Sequence, residues 1–224
     1  MINTEAYRIV ENEAKQAKAT LVAVSKLKPE ADIQALYDLG QRDFGENYVQ
    51  ELVDKHGNLP GDIRWHFIGH LQSNKVKYIA PFVHLVHGVD SFKLLQEINK
   101  QTAKANRVIP CLLQVHIAEE ETKFGLDEKE MIALLETYEA QKESLRHIRI
   151  DGLMGMASFT EDKNKVTREF RNLKACFEVA KRSYFIGAQH FNILSMGMSG
   201  DYKIALEEGS TLVRVGSLLF GARH

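Results

Sequence analysis

The stretch LVAVSKLKPEADIQALYDLG, residues 21–40, changes its period halfway, and that change decides the fold. Leu21 to Ser25 is a short apolar run rich in β-branched residues, the length and chemistry of a buried strand. Pro29 suits a first helical position, where its fixed φ and missing N–H do no harm, and Gly40 suits the C′ stop. Between them, Glu30 to Leu39 places Ile33, Leu36 and Tyr37 on one helical face. Strand followed by helix is half of a βαβ unit, and the same order returns along the whole sequence. Strand-like runs fall at Leu21–Ser25, Asp43–Phe44, Trp65–Ile68, Leu85–Val89, Ile109–Ile117, Ile148–Met154, Phe191–Leu194 and Thr211–Val215, the second only two residues long. Helical stripes lie between them. Phe92, Leu95, Ile98 and Thr102 share a face within Ser91–Ala105, and Val166, Phe170, Leu173, Phe177 and Ala180 recur at steps of four and three. An alternating β/α order with a mean repeat of ~28 residues predicts parallel strands joined by crossover helices. Eight such units predict a closed (β/α)8 TIM barrel of the α/β class. No linker, low-complexity tract or single-sign charge block divides residues 1–224, so one domain is expected.

The composition agrees with a packed core. With 224 residues, 44% hydrophobic and 26% charged, the chain can bury about 70% of its unfolded surface, which excludes disordered, collagenous and disulfide-stapled classes. Twenty-nine basic against thirty acidic residues leave a net charge of −1, so there is no global field to collect nucleic acid or a membrane surface. The basic group Lys163, Lys165, Arg168, Arg171 and Lys174 is interleaved with Glu161, Asp162 and Glu169, as on a solvated helix. Any anion must therefore be held by local donors. Cys111 and Cys176 each sit in an apolar stretch, as buried free thiols in a reducing, cytoplasmic compartment would. Met1 to Lys18 lacks the apolar core of a signal peptide, and Tyr78–Val89 is too short to span a membrane.

Barrels of this class carry their chemistry at the C-terminal ends of the strands. Lys26 directly follows the first strand, either as a solvated amine or as a Schiff-base lysine. Ser195-Met196-Gly197-Met198-Ser199-Gly200-Asp201 follows the seventh strand, and Val213-Arg214-Val215-Gly216-Ser217 ends the eighth. Glycine-rich loops there either turn tightly or leave amides open for a phosphate, and the serine hydroxyls favour the phosphate. Arg214 shares a strand face with Gly216; pointing inward it needs an acceptor, which is a carboxylate or a heterocyclic nitrogen of a bound cofactor. Among nine histidines, His66 and His70 have i, i+4 spacing but lack the following Glu of a zinc helix, and His84 and His87 are placed on opposite strand faces. No metal site is expected. Walker A, G-x-S-x-G and G-x-G-x-x-G segments are absent from the sequence.

Seven motifs in one order carry a family resemblance: AVSK (Ala23 to Lys26), FGENYVQE (Phe44 to Glu51), WHFIGHLQSNK (Trp65 to Lys75), TKFGL (Thr122 to Leu126), GLMGMAS (Gly152 to Ser158), LSMGMSGD (Leu194 to Asp201) and GSTLVRVGSLLFGAR (Gly209 to Arg223). Together they resemble the YggS/PROSC family of pyridoxal 5′-phosphate (PLP)-binding, PLP-homeostasis proteins, whose fold is similar to the barrel domain of alanine racemase. The resemblance implies that Lys26 forms the internal aldimine, that Ser199, Gly216 and Ser217 hold the phosphate, and that Arg214 faces the pyridine nitrogen. It places Asn47 and Met156 along the ring, with His66 and Ser195 at the same mouth. The sequence stops at Arg223-His224, so no contact from a longer tail is expected.

A permanently charged guanidinium opposite the pyridine nitrogen opposes its protonation and makes the ring a poorer electron sink. Transamination is thereby disfavoured. Racemisation also needs a second acid/base on the far face of the substrate carbon, which in alanine racemase comes from an added domain of the partner subunit. The expected function is thus to buffer, carry or deliver PLP, with PLP-dependent apo-enzymes as partners. The rival readings are a PLP-dependent amino-acid racemase or lyase of narrow range and a cofactor-free interaction module.

Overall fold

Among the described residues eight strands form where the apolar runs fall: β1 (Thr20–Val24), β2 (Asp43–Glu46), β3 (Arg64–Phe67), β4 (Leu85–Val89), β5 (Ile109–Gln114), β6 (Ile148–Met154), β7 (Ile193–Ser195) and β8 (Leu212–Val215). The structure is a computed structural model that describes residues 2–119 and 124–221. Each strand pairs in parallel with the next, and β8 returns to β1 through Thr20↔Leu212 to Ala23↔Val215, closing the barrel. The helices are α1 (Thr4–Gln16), α2 (Glu30–Asp38), α3 (Val49–Asn58), α4 (Val76–Ile79), α5 (Phe92–Lys104), α6 (Glu128–Ala140), α7 (Lys163–Ser183), α8 (Tyr202–Glu207) and α9 (Ser217–Phe220).

Strand alternation separates two apolar layers. Val22, Leu85, Leu112, Met154 and Leu212, from β1, β4, β5, β6 and β8, meet across the inside of the barrel. Their neighbours Leu21, Ala23, Leu113, Leu153 and Val213 point outward and join the larger core under the helices. There the predicted α7 stripe, Val166, Phe170, Leu173, Phe177 and Ala180, is buried throughout. Burying each large side chain contributes about 1.5–3 kcal/mol, so this outer layer, with many more members, supplies most of the packing energy.

Several local features differ from expectation. Pro29 is the N-cap of α2, extended at φ −67° and ψ 152°, so the helix starts one residue later; Gly40 does hold the C′ position, at φ +105°. The fifth strand ends at Gln114 because the backbone then pairs with a returning loop, His116 N–H donating to Leu126 O at 2.9 Å and Leu126 N–H to Gln114 O at 2.8 Å. Residues 122–123 of the TKFGL motif and 222–224 at the C-terminus lie outside the described residues. The N-terminal segment forms α1, which the strand-helix repeat does not announce. Asn3 caps it by accepting from Ala6 N–H at 3.0 Å, and Tyr7, Val10 and Ala14 are buried along one stripe. Among the described residues no helix is long and apolar enough to cross a membrane.

Candidate functional site

Closure brings the ends of β1 and β8 side by side, so Lys26 and the Arg214–Ser217 segment share one mouth. Lys26 sits between two residues that are fixed from below. Ser25 N–H donates to Gly45 O at 3.0 Å and its hydroxyl donates to Glu46 Oε1 at 2.6 Å. Leu27 adopts a left-handed φ of +60°, held by its amide donating to Glu51 Oε1 at 2.6 Å. A buried ammonium ties these acceptors together: Lys55 Nζ donates to Ser25 O (2.8 Å), Glu46 Oε1 (2.7 Å) and Glu51 Oε1 (2.6 Å). Burial raises the Glu46 carboxyl above its ordinary range, against the opposing pull of Lys55. The strained turn at Leu27 is thus paid for by a buried charge cluster, and it delivers the half-buried Lys26 to the mouth.

Across the mouth, Gly216 N–H donates to Ser199 Oγ at 3.2 Å, joining the β7–α8 loop to the end of β8. Gly216 is also the N-cap of α9 and provides no side-chain cap. A Cβ on Gly216 would lie 3.1 Å from Val24 O and 3.2 Å from Val24 Cβ, so the neighbour that crowds this position is strand β1. These residues border a cavity of about 350 Å³, near the small end of the ~300–1,000 Å³ range of ligand sites. Lys26, Asn47, Met156, Ser199, Arg214, Gly216 and Ser217 all line it. Sequence reasoning missed Val24, Ile68, Phe159, Met198, Gly200 and Asp201. Alternation from His66 would have indicated Ile68, and Met198, Gly200 and Asp201 lie inside a motif already marked. Phe159 carries no such signal and is 99% exposed at the rim.

His66 and Ser195 are placed differently from expectation. Both are fully buried inside the barrel, beneath the cavity, because they project inward from the middle of β3 and the end of β7 and do not reach the loops. Arg214 Nη1 donates to Ser195 Oγ, and Nη2 donates to Gly155 O at 3.2 Å. Burial lowers Arg214 to about 10, with Asp201 acting in the opposite direction, so the guanidinium remains charged at neutral pH. His66 and His84 come together with Asp43 although His84 lies before β4, outside the alternation that separates it from His87. Their nitrogens and the Asp43 carboxylate lie within 4.8 Å of one another. The carboxylate is already held by Arg64, whose Nε donates to Oδ1 at 2.7 Å and Nη2 to Oδ2, with His66 Nε2 at 3.0 Å. A fixed guanidinium in that contact repels a second cation, and the group reads as a hydrogen-bond cluster.

The donor set fits a phosphorylated aldehyde with a heterocyclic ring. One cavity gathers an amine, two hydroxyls and a glycine amide, with a buried guanidinium two residues before that glycine on β8. A larger hollow of about 790 Å³ beside the end of α7 gathers Lys181, Arg182 and Phe185 but no strand-end residue.

The comparisons agree in one direction. The family described as "Alanine racemase, N-terminal domain" matches residues 4–224. A pyridoxal phosphate homeostasis protein of Aquifex aeolicus (strain VF5) is 40% identical over 206 residues, 92% of this chain and 87% of its own. A human protein of the same name is 39% identical over 213 residues, 91% of this chain and 76% of its own. PipY of Synechococcus elongatus PCC7942, solved with PLP bound, superposes with a TM-score of 0.83 at 32% identity, covering 96% of this chain and 99% of that one.

Proposed function

The chain belongs to the alanine racemase N-terminal domain family, and from that premise we propose that it binds pyridoxal 5′-phosphate and serves PLP homeostasis by holding, carrying or delivering the cofactor. The observation that carries the reading is the convergence of Lys26 from the loop after β1, Ser199 from the β7–α8 loop, Arg214 from β8, and Gly216 and Ser217 from the start of α9 on one cavity. Lys26 is the residue for covalent attachment, held by the Ser25 and Leu27 contacts. The hydroxyls of Ser199 and Ser217 and the Gly216 amide are the phosphate donors, each charge-assisted bond being worth about 1.5–3 kcal/mol. Asn47 and Met156 line the same cavity and would border the ring. When bound, the cofactor supplies a reactive aldehyde and an electron-withdrawing ring. Arg214 is assigned to the pyridine nitrogen, where its permanent charge opposes protonation of that nitrogen and so restrains carbanion chemistry. The partners are PLP itself and PLP-dependent apo-enzymes, and the buried free thiols Cys111 and Cys176 suit a reducing cytoplasm.

The test is uptake of PLP read by visible absorbance, followed by borohydride reduction and peptide mapping. Adduct at Lys26, with pyridoxal lacking the phosphate bound far more weakly, is the expected result. Adduct mainly at another lysine, or equal binding of pyridoxal and PLP, refutes the assignment. An amino-acid panel then separates a carrier, which releases PLP unchanged, from a racemase or lyase, which turns substrate over.

A further inference from the structure

Below the cavity an unbroken file of polar groups crosses the inside of the barrel. Arg214 Nη1 meets Ser195 Oγ; Ser195 Oγ lies 3.2 Å from His87 Nδ1; His87 Nε2 lies 2.9 Å from His66 Nδ1; and His66 Nε2 lies 3.0 Å from Asp43 Oδ1. These members come from β8, β7, β4, β3 and β2, and every one of them is buried. The apolar interior cluster of Val22, Leu85, Leu112, Met154 and Leu212 spans the same barrel, so a polar file there needs every partner satisfied.

With both rings neutral, the chemistry of its two ends fixes the direction of every bond. A guanidinium only donates, and an ionised carboxylate only accepts. Ser195 Oγ therefore accepts from Arg214 and turns its own hydrogen to His87 Nδ1. That nitrogen must be bare, so the His87 proton sits on Nε2 and donates to His66 Nδ1, and the His66 proton sits on its own Nε2 and donates to Asp43. With both rings neutral and both in the Nε2–H form, all four contacts are complete. The reverse direction would aim a bare His66 nitrogen at the carboxylate. A cationic His66 would reverse the links as far as Ser195, whose oxygen would then take both donors and whose own hydrogen would have no acceptor in the file. Burial holds His87 well below its ordinary range, which agrees with a neutral ring at that position. Asp43, anchored by Arg64, gives the file its fixed negative end.

We propose that His87 and His66 are positioning residues that, through Ser195, hold Arg214 in the orientation in which it meets the ring nitrogen of the bound cofactor. The proposal rests on the PLP reading above. It also gives Ser195 and His66 a role that neither has as a lining residue. Arg214 has two of its donors committed below the cavity, to Ser195 and to Gly155 O. A long, flexible side chain fixed in this way leaves its remaining donors pointed in one direction, which is the condition for acting on one ring atom.

Two readouts test this. In cofactor-free protein, long-range proton–nitrogen NMR correlations should show His66 and His87 both neutral and both Nε2–H at pH 7; a Nδ1–H or cationic ring at either position overturns the proposed file. In PLP-loaded protein, His87→Leu and Ser195→Ala should shift the absorbance of bound PLP and weaken its retention by about 3- to 30-fold, the range expected for losing part of one charged hydrogen bond. His87→Gln, which can accept from Ser195 and donate to His66, should restore both to near wild type. Folded His87→Leu protein with the wild-type spectrum and retention, or a Gln variant no better than Leu, overturns the positioning role. Wild-type protein that takes up no PLP overturns the cofactor reading instead, while the tautomer measurement, made without PLP, still decides the file.

Discussion

Replacing Lys55 with Met removes one ammonium and exposes how much the mouth depends on it. All three of its donors are used, on Ser25 O, Glu46 Oε1 and Glu51 Oε1, and its side chain is 6% exposed. Met matches the aliphatic stem, so the loss is almost purely one of charge and hydrogen bonds. Glu46, 0% exposed, would keep only the Ser25 hydroxyl as donor, and Glu51 would face it as a like charge. Breaking a buried pair by removing one partner costs about 3–5 kcal/mol. At roughly 2–4 °C per kcal/mol for a chain of this size, Tm should fall by about 6–20 °C. The sign of the pH dependence follows from Glu46. Burial already raises its carboxyl above the ordinary value, and without Lys55 it rises further. A group whose folded pKa is raised is held best while protonated, so the variant's deficit should be smallest near pH 5 and grow toward pH 8. The assay is thermal unfolding of both proteins across that range, with PLP retention measured beside it. Retention should fall as well, because Ser25 and Leu27 hold Lys26 from either side. A Tm within about 2 °C of wild type, or a deficit that shrinks as pH rises, would refute the reasoning.

Three further outcomes are expected. Asp43→Asn loses the charge that accepts from Arg64 and His66; burial alone would raise this carboxyl, but those hydrogen bonds hold it well below its usual range. Its contribution is therefore complete above the unfolded value near ~4 and fades as pH falls toward the folded one, so urea melts should show a loss of about 1–3 kcal/mol at pH 7 that narrows in acid. Gly152→Ala would place a Cβ 1.8 Å from Ile193 O, forcing β6 and β7 apart; a loss of at least ~1–3 kcal/mol in chemical denaturation is expected, and a neutral effect would mean that the two strands are not so close. Ser199→Ala should weaken PLP binding by about 10- to 100-fold while leaving the weak binding of pyridoxal unchanged, as titration by absorbance would show, since pyridoxal has no phosphate to meet the hydroxyl proposed to hold it.

The order of elements was legible because periodicity is a local property. Runs such as Leu21–Ser25 and the α7 stripe report which side of each segment is buried, and eight alternations leave few ways to arrange parallel strands. The β2 run read as only two residues because Gly45 and Glu46 carry no apolar signal, yet both belong to the strand. In the closed barrel a Cβ on Gly45 would crowd the side-chain ends of Val22 and Ile68 at 3.0 and 3.1 Å, a contact that exists only after closure.

The same division runs through the site. Lys26, Ser199, Arg214, Gly216 and Ser217 could be marked as candidates from sequence alone because their position at or shortly after a strand end is set by neighbours a few residues away. What the sequence by itself determined is which face of which strand each side chain takes. Which partner it meets there was decided only by the tertiary structure. Alternation turns Ser195, His87 and His66 inward, but their contacts join residues 108 and 21 positions apart, and the register across β3, β4 and β7 alone makes those distances hydrogen bonds. Likewise Lys55 looks like any solvated helical lysine until α3 packs beneath the Ser25 turn and its charge is buried against Glu46 and Glu51. A side chain's direction is local and can be read from its period, whereas burial of charge and pairing of donors depend on groups that only the closed barrel brings together.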